Sequence, residues 1–133
     1  MKKSSLSVLR NSDYHRLFAL KAAKDAERVL PFFEAERPGD RRPRRAIEAI
    51  RDWALGKLEL RLAEVRKLSL GSHAAARASK SEAARYAARA AGQAVATWHV
   101  PTHAMAVPAY AWRAIAANKT EPSRKRRSKT RAA

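Results

Sequence analysis

His99 and His103, in the run HVPTH, place two imidazoles four residues apart, a spacing that a helical backbone would bring onto one face as metal ligands. A complete site needs a third and a fourth ligand, which His73 with Asp25 or Glu27 would supply if the fold gathered them. Pro101 lies between the two histidines and works against a continuous helix. The expectation is therefore that His73, His99 and His103, the weak metal candidates, bridge helix ends, and that no metal or other cofactor is bound. His15, near the start of the first helical segment, has polar neighbours and is assigned no role.

A second cluster sets Asp25, Glu27 and Arg28 against Arg42, Arg44 and Arg45 at the start of the next helix. Cations at a helix N-terminus oppose its dipole, so these arginines should meet an anion or carboxylates such as Asp25 and Glu27. An ion-pair network tying two helices together is the plainer reading. Nothing supports catalysis: the serines lie in no nucleophile elbow, there is no glycine-rich phosphate loop, and no carboxylate pair has a context for acid–base work. The chain is read as non-enzymatic.

The third cluster is the basic run near the C-terminus, where Arg124, Lys125, Arg126, Arg127, Lys129 and Arg131 could neutralise phosphates. No aromatic residue interrupts it, so binding there would be sequence-blind and salt-sensitive. Residues 119–133 supply +6 of a formal charge of +17, and the remainder is positive as well. Such a field attracts nucleic acid, anionic membrane or an acidic protein without choosing among them. There are no cysteines, which excludes disulfides and thiolate metal sites. No stretch approaches the roughly 18 apolar residues of a membrane span, and no signal h-region opens the chain, so a cytoplasmic protein is expected.

What must position these clusters is a set of helices. With 133 residues, 46% of them hydrophobic, the chain can bury one core of ordinary size. Aromatics are few and alanine dominates several stretches, which calls for helices approaching closely over small side chains. The fold class is all-α: a single compact bundle of about five helices with alanine-rich packing, spanning 12–118, between a flexible N-terminus (1–11) and a disordered basic tail (119–133). Tyr14, Phe18, Ala22, Ala26, Val29 and Phe33 recur at helical steps as the buried stripe of the first helix, capped by Ser12 or Asn11. Pro38 and Gly39 break it, Asp40 caps the second helix with Pro43 in its first turn, and Ile47, Ile50 and Ala54 form its buried face. A boundary near Gly56 precedes a third helix whose period includes Leu58, Leu62, Val65 and Leu68, with Gly71 as a further interruption. Ser79 or Ser81 caps a fourth, whose two faces of small residues mark it as central. Pro101 ends it, Thr102 caps a fifth, and Pro108 splits that last helix so that Ala109 to Asn118 is its regular part.

Four segments in order resemble one bacterial family: DAERVLPFFE (Asp25 to Glu34), RPRRAIEAIRDWALG (Arg42 to Gly56), SHAAARA (Ser72 to Ala78) and AAGQAVATWHVPTHA (Ala90 to Ala104). They look like the helical immunity proteins of polymorphic toxin systems, of the immunity five-like type, over roughly residues 14–117. The resemblance implies non-catalytic binding that neutralises a cognate toxin. It also implies that the polar positions inside those segments, Asp25, Glu27, Arg28, Arg42, Arg44, Glu48, His73, Arg77, His99, Thr102 and His103, form one partner-binding face. The alternative is a small basic protein that holds nucleic-acid backbones without sequence preference. Oligomeric state is left open by the sequence.

Overall fold

The computed structural model describes residues 12–132, with side chains described as far as Thr120. Five α-helices and one short 3-10 helix make up the described residues, and no strand is among them. They are α1 (Asp13–Glu36), α2 (Arg42–Ala54), α3 (Leu62–Ala78), α4 (Glu82–Ala96), the 3-10 helix Pro101–Met105, and α5 (Ala106–Ala132). The expectation for 1–11 falls outside the described residues; at the other end the backbone of 119–132 continues α5, with side chains described only as far as Thr120.

The alanine-rich α4 is the axis, packed against α1, α2, α3 and α5. Ala83, Ala84, Ala87, Ala88, Ala90, Ala91, Gly92, Ala94 and Val95 are all buried along it. Small side chains on every face let four neighbours approach one backbone at interior packing density. The bulk is supplied from around it by Val29 and Phe33 of α1, Ile47, Ile50 and Trp53 of α2, and Val107 of α5.

Local chemistry fixes most helix ends. Ser12 Oγ accepts the His15 N–H at 3.1 Å and Ser81 Oγ accepts the Ala84 N–H at 3.1 Å, each satisfying one orphan donor of a first turn. Asp40 Oδ1 accepts the Arg42 N–H at 3.2 Å, and Pro43 occupies the first turn of α2, where a missing N–H costs nothing. Beyond Ala54 the chain turns at Gly56, whose φ of 75° suits a residue without a side chain. A second contact caps α4 from a distance: the Glu36 carboxylate accepts the backbone N–H groups of Lys80 and Ser81, both at 2.8 Å.

Several expectations are corrected. Tyr14 and Phe18 are 65% and 42% exposed, and in the first two turns of α1 His15 and Ala19 are buried instead; from Ala22 on the expected stripe holds, with Ala22, Ala26, Val29 and Phe33 all buried. Leu58 is 41% exposed and precedes α3, which begins at Leu62 and buries Val65. Gly71 does not interrupt α3; it lets the aliphatic part of Arg42 come within 3.6 Å of where its Cβ would stand. Thr102 caps no helix, because the 3-10 turn Pro101–Met105 intervenes, and Pro108 falls in the first turn of α5, where it is tolerated without a break.

Candidate functional site

The corner where α1 meets α2 is built from arginine–carboxylate forks. Arg42 grips Asp40 through two parallel bonds, Nε to Oδ1 at 2.9 Å and Nη2 to Oδ2 at 2.7 Å, while Arg37 Nε reaches Oδ2 at 3.3 Å. Arg44 grips Glu34 in the same way, with Nε to Oε2 at 2.7 Å, and approaches Glu48 at 3.8 Å. Two turns beyond Arg44 along α2, Arg51 bonds Glu27 at 2.6 Å. The bonds from Arg42, offsetting the cost of partial burial, hold the Asp40 carboxyl down at about 2. The Arg44 bond likewise keeps Glu34 below the ordinary carboxylate range. Burial pushes Glu36 up, but the N–H donors at the start of α4 outweigh it and its net shift is downward. Carboxylates held ionised in this way serve to bind and orient charge, and are poor acids at neutral pH.

Around this corner runs a groove of about 630 Å³ lined by Glu36, Arg37, Gly39, Asp40, Arg41, Arg42 and Arg45. Arg41 and Arg45 are exposed, one turn apart, beside the N-terminus of α2. Their positive charges and the helix dipole point the same way, which makes the groove attractive to anions. A smaller hollow of about 250 Å³ beside Glu27, Pro31, Arg44, Glu48 and Arg51 continues the polar strip along the seam of α1 and α2.

The histidines form a different structure, where α3 and the 3-10 turn meet α4. Ser69 and His73, one turn apart on α3, both lie on Gly92 of α4: Ser69 Oγ donates to the Gly92 carbonyl at 3.1 Å, and a Cβ at Gly92 would stand 2.7 Å from His73 Nε2. Only glycine leaves room for the ring. His73 Nδ1 is 2.9 Å from Arg89 Nη1, and because a guanidinium can only donate, Nδ1 accepts and the ring's own proton sits on Nε2. His103 Nδ1 donates to Gln93 Oε1 at 2.9 Å. Burial first, then the charges of Arg89, Arg77 and His103, push His73 below its usual value, and burial followed by His99 does the same to His103. In this seam protonation of the histidines is disfavoured, while at the corner ionised carboxylates are held by arginines.

The eleven polar positions are divided among separate hydrogen-bond networks. Glu27, Arg42, Arg44 and Glu48 belong to the corner; Asp25 pairs with Lys21 at 2.6 Å on α1, and Arg28 is exposed nearby. His73, Arg77, His99 and His103 belong to the seam, and Thr102 is exposed on the 3-10 turn. Among the described residues no group of three or more histidines and carboxylates converges as a metal would need, so the metal candidates His73, His99 and His103 do not assemble into a ligand set. The side chains of Arg124, Lys125, Arg126, Arg127, Lys129 and Arg131, the nucleic-acid candidates, lie outside the described ones.

Sequence reasoning missed Asp40 as an ion-pair partner, Glu36 as a distant cap, Arg51, Arg89, Gln93 and Gly92. It also missed His15, which is fully buried, with Nε2 2.6 Å from the Thr97 carbonyl and its ring edge-on to Trp53 at 4.9 Å. The spacing of Arg44 and Arg51, seven residues apart on one face of α2, was the one local signal available for the α1–α2 strip.

Comparison with known proteins gives one positive result. A family model described as Imm-5 like putative immunity protein matches residues 9–133, nearly the whole chain, and the chain belongs to that family. No curated protein and no solved structure matches it.

Proposed function

We propose that this member of the family is a cytoplasmic immunity protein that binds and neutralises a cognate bacterial toxin without catalysing a reaction. The observation that carries the reading is the extent of the match, residues 9–133, which takes in all five helices and so attaches the immunity role to the bundle as a whole. Of the polar positions, the α1–α2 corner is the better binding surface. Its arginines are pre-ordered by carboxylates, and Arg41 and Arg45 remain exposed to take carboxylates from a partner. An acidic toxin surface is the complement of such a groove, and electrostatic attraction would speed capture before the toxin acts.

The test is co-expression with the protein encoded beside it, reading growth and co-purification. The reading expects one stoichiometric protein to be retained, growth to be protected, and both to be lost in Arg41→Glu/Arg45→Glu while Arg124→Gln/Lys125→Gln/Arg126→Gln/Arg127→Gln keeps them. Recovery of nucleic acid instead, with log affinity falling against log salt by about 0.9 per phosphate neutralised, would replace it with the phosphate-binding alternative.

A further inference from the structure

The side of the molecule formed by the first half of α1, the 3-10 turn and the start of α5 carries large apolar side chains that the core does not use. Trp112 is 70% exposed, Met105 79%, and Phe18 42%. Phe18, Pro101, Ala104, Met105 and Pro108 wall a groove of about 360 Å³ whose other lining residues are Lys21 and Thr102. Trp112 lies one turn beyond Pro108 on the same face of α5. Tyr14 and Leu17, 65% and 60% exposed, precede Phe18 on α1.

We propose that this α1–α5 face docks on an anionic membrane surface, with Phe18, Met105 and Trp112 inserted at the headgroup level and the cations of α5 held over the lipid phosphates. Two observations select a bilayer over a folded protein. The apolar side chains stand out from the surface, with few polar groups among them to fix the orientation of a partner, whereas protein and small-molecule sites place such groups among apolar walls. Charge is the second. From Ala106 to Thr120 α5 has Arg113 and Lys119 and no acid, and the sequence of the same helix continues through six Lys and Arg between 124 and 131 with Glu121 alone against them. Aromatic and methionine side chains beside a cationic stretch are the composition of peripheral helices that lie in the interface, and one signal reinforces the other. No helix among the described residues is long and apolar enough to cross a membrane, so attachment would be peripheral and reversible. This site is separate from the toxin-binding corner and does not depend on that reading.

The experiment is co-sedimentation of the full-length protein with vesicles of mixed phosphatidylglycerol and phosphatidylcholine, against pure phosphatidylcholine, with tryptophan emission and quenching by brominated lipid followed alongside. Binding to the anionic vesicles alone is expected, with a blue shift and quenching that disappear in Trp112→Phe, since Trp53 is buried and Trp98 is half-buried against the core, and both keep their surroundings. Trp112→Ser/Met105→Ser should lower the partition coefficient about tenfold, as loss of inserted apolar surface would. Neutralising the four cations from Arg124 to Arg127 should lower it about tenfold or more. Partitioning lost with the tail charges but unchanged in Trp112→Ser/Met105→Ser would overturn the proposal, leaving a basic arm alone. So would absence of vesicle binding, and so would a dimer or a toxin complex that the same double substitution dissolves without any lipid-dependent signal.

Discussion

The α1–α2 corner and the histidine seam are both polar surfaces laid against one apolar axis, and they solve the problem of buried charge in opposite ways. At the corner Asp40, Glu34 and Glu27 find guanidiniums and Glu36 finds backbone N–H donors, so Asp40, Glu34 and Glu36 are held ionised. In the seam His73 is surrounded by Arg89, Arg77 and His103, so it stays neutral and serves as an acceptor. Pairing makes the corner tolerant of exposure and of partners, while the seam depends on shape and on a proton being kept away.

That contrast can be broken most severely at Gly92. Placing a side chain there drives it into the His73 ring, so Gly92→Val should cost about 3 kcal/mol in urea unfolding, with His73→Ala/Gly92→Val recovering part of the loss. A corresponding insertion at Gly39 of the corner meets nothing within 4 Å and should change stability by less than about 0.5 kcal/mol.

Acid separates the two regions along the pH axis. His73 and His103 have folded values below their unfolded one, so the unfolded chain binds more protons and stability falls as pH drops from about 6.5 through the lowered folded values. Asp40, Glu34 and Glu36 are also lowered, but their stabilisation is complete above the ordinary carboxylate range and is lost only as pH falls from about 4.5 toward 2. Melting temperature against pH should therefore descend in two steps. His73→Gln/His103→Gln should flatten the upper step alone, and Asp40→Asn the lower; a single step in the native protein would dissolve the distinction.

Smaller effects sharpen it. Asp40→Asn should cost about 1 kcal/mol at neutral pH, because it weakens both a fork and a helix cap. Arg44→Met should cost less than about 1 kcal/mol, since the Arg44–Glu34 pair is 39% and 26% exposed and screened by water. Both are read from chemical denaturation midpoints.

What was legible in the sequence was what neighbours in the chain decide. Ser12 and Ser81 as caps, the break at Pro38 and Gly39 and the turn at Gly56 each rest on contacts within a few residues, whereas Pro101 opens the 3-10 helix and α4 has already ended at Ala96. The central place of α4 was legible too, because alanines on two faces have few other uses. The buried stripe of α1 was legible from Ala22 to Phe33 but misread in its first two turns: in a core built from alanine, bulky Tyr14 and Phe18 are left outside while His15 and Ala19 go in, so side-chain size misreports the inner face there. The site was less legible. Glu36 reaches Ser81 across 45 residues and His15 reaches Thr97 across 82, and such pairings are set by helix packing, which no local pattern encodes. A single polar face was inferred from positions that share segments, but their side chains divide between an arginine–carboxylate network and a histidine seam.

Those two long-range bonds have a mechanical consequence. Glu36 fastens the end of α1 to the beginning of α4, and His15 fastens the beginning of α1 to the end of α4, so the antiparallel pair is pinned at both extremities. Sliding one helix past the other by a single turn, about 5.4 Å, would unmake both pins together. Shear between α1 and α4 is thereby opposed at both ends, and a surface that includes α1 keeps a preset shape with little freedom left to lose.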